Sequence, residues 1–159
     1  MLQQIKLSGN VQLDDNRLKT DGMTLVCDIG KVSAHADLPF PPNTPTLGQP
    51  WLLNSEYEIT GVVDLARVIQ VAPDMIQMQD QVQLVSGQAT LQAIQKRPVG
   101  DGTTPPASNY QLKLGGLQAN MRGTPMRWDQ ALQAGLDIRP AIGGQPSFKA
   151  ECIAEFCNI

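Results

Sequence analysis

The sequence contains few of the residues on which enzymes and nucleic-acid-binding proteins depend. Aromatic residues make up 4% of the 159 residues, and there is a single histidine. Lysine and arginine never form a run, and the formal net charge is −3, so a nucleic-acid partner is not expected. No apolar stretch reaches the roughly 18 residues that a membrane-spanning helix needs, since the longest one, residues 61–72, contains Asp64 and Arg67.

The three cysteines are an odd number, and no Cys-x-x-Cys spacing occurs. Cys152 and Cys157 are five residues apart, which places them on opposite faces of one predicted strand, so a bridge between them is not expected. Cys27 would pair with either only if the fold brings their strands together. His35 is the only histidine, so a zinc site is not expected. We predict no metal and no cofactor.

The dominant pattern is an alternation of apolar and polar residues, which is typical of β-strands. This alternation starts at Ile5 and Leu7. The connections between the alternating segments are too short for parallel crossovers, which favours antiparallel pairing. Further alternating segments fall within residues 23–29, 32–38, 51–59, 85–93, 110–121, 132–138 and 148–156. The sequence therefore predicts an all-β meander of about eight strands, as an open, groove-like sheet or a sandwich.

One short helix interrupts the strands. Asp64 is a suitable N-cap, and Leu65, Val68, Ile69 and Ala72 follow with the spacing of one helical face. Pro73 ends the pattern. We predict that this helix docks on the sheet or closes one of its ends.

Glycine and proline mark the irregular positions. Residues 39–50 contain five prolines and cannot form a sheet interior, and residues 98–108 form a second predicted loop. At Gly115 and Gly116 the apolar alternation changes phase by one residue, which predicts a β-bulge.

The chain is interpreted as one β-rich module, residues 1–159, of a longer protein, because the alternating pattern is already running near both ends. Two pairs of segments are similar in character: Leu7–Leu13 with Val85–Leu91, and Ile29–Ala36 with Leu114–Met121. These matches predict weak half-repeats, residues 1–78 and 79–159.

No catalytic constellation is found. His35 shares a strand face with Ser33 and Asp37, but neighbours along one strand do not converge as a nucleophile, a base and an acid would. No glycine-rich phosphate loop precedes a helix. The other acidic candidates are explained by turn chemistry or by exposed strand faces: Asp14, Asp15, Asp21, Glu56 and Glu58.

Three motifs resemble the AsmA/TamB-like family of large bacterial envelope proteins. The first is the phrase Leu-Ser-Gly-x-Val-x-Leu at residues 7–13, and the second is the Asp-Leu-Ala helix start at residues 64–66, followed by Pro73 and Ser86-Gly87. The third is residues 148–152, which resemble the start of another such strand. The proline-rich segment 39–50 departs from the family pattern.

The resemblance implies a role in moving lipid between envelope membranes or in outer-membrane biogenesis. It also implies a location in the periplasm or cell envelope, within a parent protein anchored in the inner membrane.

Two functions remain open from the sequence. In the first, acyl chains bind along one apolar sheet face, and the helix formed by Leu65, Val68 and Ile69 gates one end. In the second, the same face closes into the core of a structural module whose partners are neighbouring modules of its own chain. Exposed edge strands also predict an edge-to-edge homodimer. The residues predicted to line the lipid-facing or core surface are Leu7, Val11, Leu25, Leu91, Leu112, Leu136 and Phe156.

Overall fold

A computed structural model describes residues 4–39, 55–73, 81–97, 106–139 and 147–154. Within these ranges the chain forms nine strands and one helix. They are β1 (Ile5–Asp14), β2 (Arg17–Cys27), β3 (Gly30–Pro39), β4 (Glu56–Asp64), α1 (Leu65–Val71), β5 (Val82–Lys96), β6 (Ala107–Met121), β7 (Thr124–Arg127), β8 (Leu132–Arg139) and β9 (Ser147–Ile153). Most of the predicted loops at 39–50 and 98–108 lie outside the described residues, as does Phe156.

All nine strands belong to one antiparallel sheet with the order β1-β2-β3-β4-β5-β6-β8-β9, and β7 pairs with the end of β6. β1 and β9 are the two edges of this sheet and do not pair with each other, so the sheet is open. The predicted all-β meander with one short helix is confirmed, in its open form rather than as a sandwich.

Two local sequence signals give the structure that they predict. The turn after β1 places Asp15 and Asn16 at φ values of 43° and 62°, the left-handed geometry of a tight hairpin turn. In β6, Gly116 has φ 61°, and the chain shifts register so that Leu114 and Leu117 lie on the same face. The predicted bulge at the glycine pair is therefore confirmed.

The helix α1 begins where the sequence predicts. The side chain of its N-cap, Asp64, accepts a hydrogen bond of 3.0 Å from the backbone N–H of Arg67. The Arg67 guanidinium lies 3.5 Å from the carboxylate of Asp28 in the β2–β3 turn. Leu65 packs over Gly87 of β5, where an added Cβ would lie 3.4 Å from Leu65 Cδ1. The helix is thus fixed at the strand ends by a cap, an ion pair and an apolar contact.

Several strand boundaries differ from the sequence prediction, and one strand is additional to it. β2 begins at Arg17 rather than near Met23, because a second bulge places Gly22 and Met23 opposite Gly9 and so breaks the alternation. β6 begins at Ala107, inside the predicted loop. β7 was not predicted, because it has only four residues and includes Pro125.

The matched segments of the half-repeat occupy different relative positions in the sheet. Leu7–Leu13 lies in β1 and Val85–Leu91 in β5, whereas Ile29–Ala36 leads into β3 and Leu114–Met121 lies in β6. The second segment is two strands away from the first in one half and adjacent to it in the other. The half-repeat remains a prediction from the sequence.

Candidate functional site

The strand register collects the apolar residues of the sheet on one face. Residues paired directly across an antiparallel sheet point to the same side, so each line of paired residues can be followed from edge to edge. The central row of this apolar face runs unbroken from β1 to β9. It consists of Leu7, Leu25, Val32, Gly61, Leu91, Leu112, Ala134 and Cys152.

The rows on either side of the central row are apolar as well. On one side, Met23, Ala34, Ile59, Ala93, Tyr110, Leu136 and Ala150 are aligned. On the other, Cys27, Gly30, Val63, Ala89, Leu114 and Leu132 are aligned. The seven strand spacings of the central row correspond to a length of about 34 Å at roughly 4.8 Å each.

This apolar face is largely open to solvent. Leu7 is 65% exposed, Val11 59% and Leu91 44%. Among the described residues the buried apolar ones are all small, namely Gly61, Ala93, Pro106 and Ala119. Most of the exposed large hydrophobic residues lie on this face, and the exceptions are Val26, Val62, Val85 and Ile153. Large exposed apolar patches mark interaction sites, ligand-binding grooves or aggregation-prone surfaces, so this face is the candidate site.

Six of the seven residues predicted to line the lipid-facing or core surface lie together on the apolar face. Four of them belong to the central row: Leu7, Leu25, Leu91 and Leu112. Leu136 lies in the next row, and Val11 lies one row further out, paired with Thr20. Phe156 lies outside the described residues.

Several residues of this face lie outside the predicted set, and Gly61 and Phe148 are two of them. Gly61 leaves a gap in the central row because it has no side chain. Phe148, in the edge strand β9, is 65% exposed. Phe148 already stood in the predicted alternation of β9, so the pattern contained its signal. The position of Gly61 depends on pairing with Val32 and Leu91, which no local pattern specifies.

The helix borders the apolar face along one side. Leu65 and Leu117 meet above Gly87, where an added Cβ would lie 2.7 Å from Leu117 Cδ2. Val68 and Ile69, the other residues of the predicted capping helix, are half-buried. Within the described chain, the backbone of α1 lies beside β5 and β4, so the helix covers the strand ends at mid-sheet and leaves the central row uncovered.

A polar cluster borders the opposite side of the apolar face. The Tyr57 and Tyr110 hydroxyl oxygens lie 2.9 Å apart, across β5. The Gln95 side-chain amide donates to the Ser55 carbonyl oxygen at 2.8 Å, and the Ser108 hydroxyl donates to the Gln95 amide oxygen at 2.9 Å. Gln95 and Ser55 are buried, so these bonds satisfy the Gln95 amide in place of water.

Partial burial and the hydrogen bond to Tyr110 both raise the pKa of Tyr57 above its ordinary value. The folded chain therefore holds this proton to higher pH than the unfolded chain does. The stability linked to Tyr57 is fully present below pH of about 10 and is lost as the pH rises further.

We expect the tyrosinate absorbance at 295 nm to show this shift, because Tyr57 and Tyr110 are the only tyrosines. The native chain should titrate with a late component that disappears on unfolding in urea. The Tyr57→Phe variant should lack that component. Identical titrations of the native and unfolded chains would contradict the half-buried, hydrogen-bonded tyrosine pair.

The opposite face of the sheet is polar. Arg17 lies 2.6 Å from Asp37, Lys96 2.9 Å from Glu58, and the His35 ring 3.1 Å from Asp21. The hydrogen bond from Lys96 lowers the pKa of the Glu58 carboxyl. These pairs are exposed or half-exposed, and such pairs stabilise folds only slightly. They identify this face as the charged one.

The sequence predicts no catalytic site and no metal site at His35, at the acidic residues or at the cysteines. His35 is 59% exposed, and among the described residues no three histidine, cysteine or acidic side chains are grouped as metal ligands. Cys27 in β2 and Cys152 in β9 are free thiols six strands apart.

No protein-family model, no curated protein and no solved structure matches the chain. In the part of the chain that the structure describes, no helix is long and apolar enough to cross a bilayer.

Proposed function

We propose that this chain is a non-enzymatic module of the bacterial cell envelope that binds acyl chains along its apolar face. The observation that carries the proposal is the exposed central row, in which Leu7, Leu25, Leu91 and Leu112 are aligned across an open sheet. Aliphatic side chains with no directional hydrogen-bonding groups suit a ligand that is itself a hydrocarbon.

The borders of the face support a ligand lying along the central row. The helix occupies one side of the row and the Tyr57–Tyr110 pair the other, so an acyl chain has free space mainly along the direction that crosses the strands. A free energy of about 0.8 kcal/mol for each buried CH₂ group would make an acyl chain a favourable ligand. Burial of the row would also remove exposed leucine side chains from water.

The motifs at residues 7–13 and 64–66 resemble the AsmA/TamB-like family, and this resemblance supports a role in lipid transport between membranes or in outer-membrane biogenesis. It also supports a location in the periplasm, within a parent protein anchored in the inner membrane. Neighbouring modules of the same chain would then extend the apolar face.

The proposal is tested by native mass spectrometry of the chain purified from bacteria, followed by organic extraction. We expect adducts with the masses of phospholipids or fatty acids, which are released on denaturation and recovered in the extract. A protein mass free of adducts, together with an extract that contains no lipid, would contradict the proposal. That result would favour a structural module whose apolar face packs against protein.

A further inference from the structure

We propose that two copies of this chain associate through β1, in an antiparallel pair related by a two-fold axis at Asn10. Every residue of β1 is exposed, and among the described residues β1 pairs only with β2. Its outer edge therefore offers backbone N–H and C=O groups to a further strand. This inference does not depend on lipid binding.

The alternation along β1 fits such a pair. The additional residue of the bulge opposite Gly9 lies in β2, so β1 itself keeps one apolar side and one polar side. A two-fold axis perpendicular to the sheet at Asn10 pairs each odd-numbered residue with an odd-numbered one. The apolar faces of both copies then lie on the same side, with Leu7 of one copy opposite Leu13 of the other.

The charges of β1 select this register. With Asn10 on the axis, Lys6 of each copy lies opposite Asp14 of the other, and the two-fold symmetry makes this pair twice. Lys6 has no ion-pair partner in the described part of the chain, whereas Asp14 also contacts Lys19 at 3.2 Å. Opposite charges directly across a strand pair are favourable and like charges are not.

The other edge is a weaker candidate. β9 has seven residues against ten in β1, so it offers fewer hydrogen bonds. Its two charged residues, Lys149 and Glu151, already contact each other at 3.5 Å. The longer edge with an unpartnered lysine is therefore the one we assign to the second copy.

Sedimentation velocity over a range of protein concentrations tests the association. We expect a monomer–dimer equilibrium for the wild-type chain. Lys6→Asp and Asp14→Lys should each raise the dissociation constant by about tenfold or more, because each creates two like-charge pairs. The double variant K6D/D14K should return the dissociation constant close to that of the wild-type chain.

A disulfide scan identifies the strand that forms the interface. In a chain whose three native cysteines are replaced by alanine, Asn10→Cys should form a covalent dimer on oxidation, because paired Cα atoms lie within disulfide range. Gln111→Cys, on the polar face of the central strand β6, should not. A monomeric wild-type chain, single variants without effect, or cross-linking at Glu151→Cys but not at Asn10→Cys would each overturn the proposal.

Discussion

Replacing Gly61 with phenylalanine is expected to remove most of the co-purifying lipid while the fold is retained. Gly61 lies at the centre of the row, between Val32 and Leu91. A Cβ at this position would make ordinary contacts, 3.4 Å from Val32 Cγ2 and 4.0 Å from Leu91 Cβ. A large ring must therefore project above its neighbours, into the space that an acyl chain would occupy.

The fold should tolerate this substitution. Phenylalanine is favoured over glycine in strands, and the change introduces no close backbone contact. We expect the free energy of unfolding to stay within about 1 kcal/mol of the wild-type value. Native mass spectrometry would report the lipid occupancy, and urea unfolding would report the stability.

Two variants control for effects other than blocking the row. Gly61→Ala adds only a methyl group at the same position and should keep most of the lipid. Thr60→Phe adds the same ring to the next residue of β4, on the polar face, and should also keep it. Lipid occupancy that is equal in Gly61→Phe and Thr60→Phe would contradict binding along the central row.

The largest loss of stability is expected from Gly30→Ala. Gly30 begins β3 and pairs with Cys27 on one side and Val63 on the other. A Cβ at this position would overlap the carbonyl oxygen of Val62 and lie 2.9 Å from Val63 Cα. Because these are backbone atoms, the β3–β4 pairing must shift to accept a methyl group.

Such overpacking against a central strand pair should cost about 2–4 kcal/mol, measured as a lower midpoint in urea unfolding. Gly115→Ala is the matched control, because no atom lies within 4 Å of a Cβ at Gly115. Its effect should stay within about 0.5 kcal/mol. Equal stabilities of the two variants would contradict the close approach of β3 and β4.

The predictable parts of this fold are those with a local cause. Alternation alone predicts β1, and the Asp64 cap with its apolar stripe predicts α1 close to its exact bounds. The phase change at Gly115–Gly116 predicts a bulge because glycine accepts the left-handed backbone that the bulge requires.

The features that escaped prediction depend on distant pairing. The bulge at Gly22 and Met23 changes the phase of β2, but only the register against β1 and β3 reveals where the phase changes. The Tyr57–Tyr110 pair joins residues 53 positions apart in the sequence. Each tyrosine occupies an ordinary strand position, so neither indicates its partner.

The openness of the apolar face could not be predicted at all. A leucine in a closed core and a leucine on an exposed groove produce the same alternation. Leu7 and Leu91 were therefore equally consistent with a sandwich and with a groove until their exposure was known. The exposure of this face results from the lack of a second layer over it in the described part of the chain. A missing layer leaves no mark on the strand itself.

Photo-crosslinking at adjacent residues of β5 tests the acyl-binding face most directly. A benzoylphenylalanine replaces Leu91 on the apolar face or Thr90 on the polar face, and the chain is irradiated in bacterial cells. Binding of acyl chains along the central row predicts covalent lipid adducts at position 91 and none at position 90, as seen by mass spectrometry of the purified chain. Protein adducts without lipid at position 91, or equal lipid adducts at both positions, would contradict it.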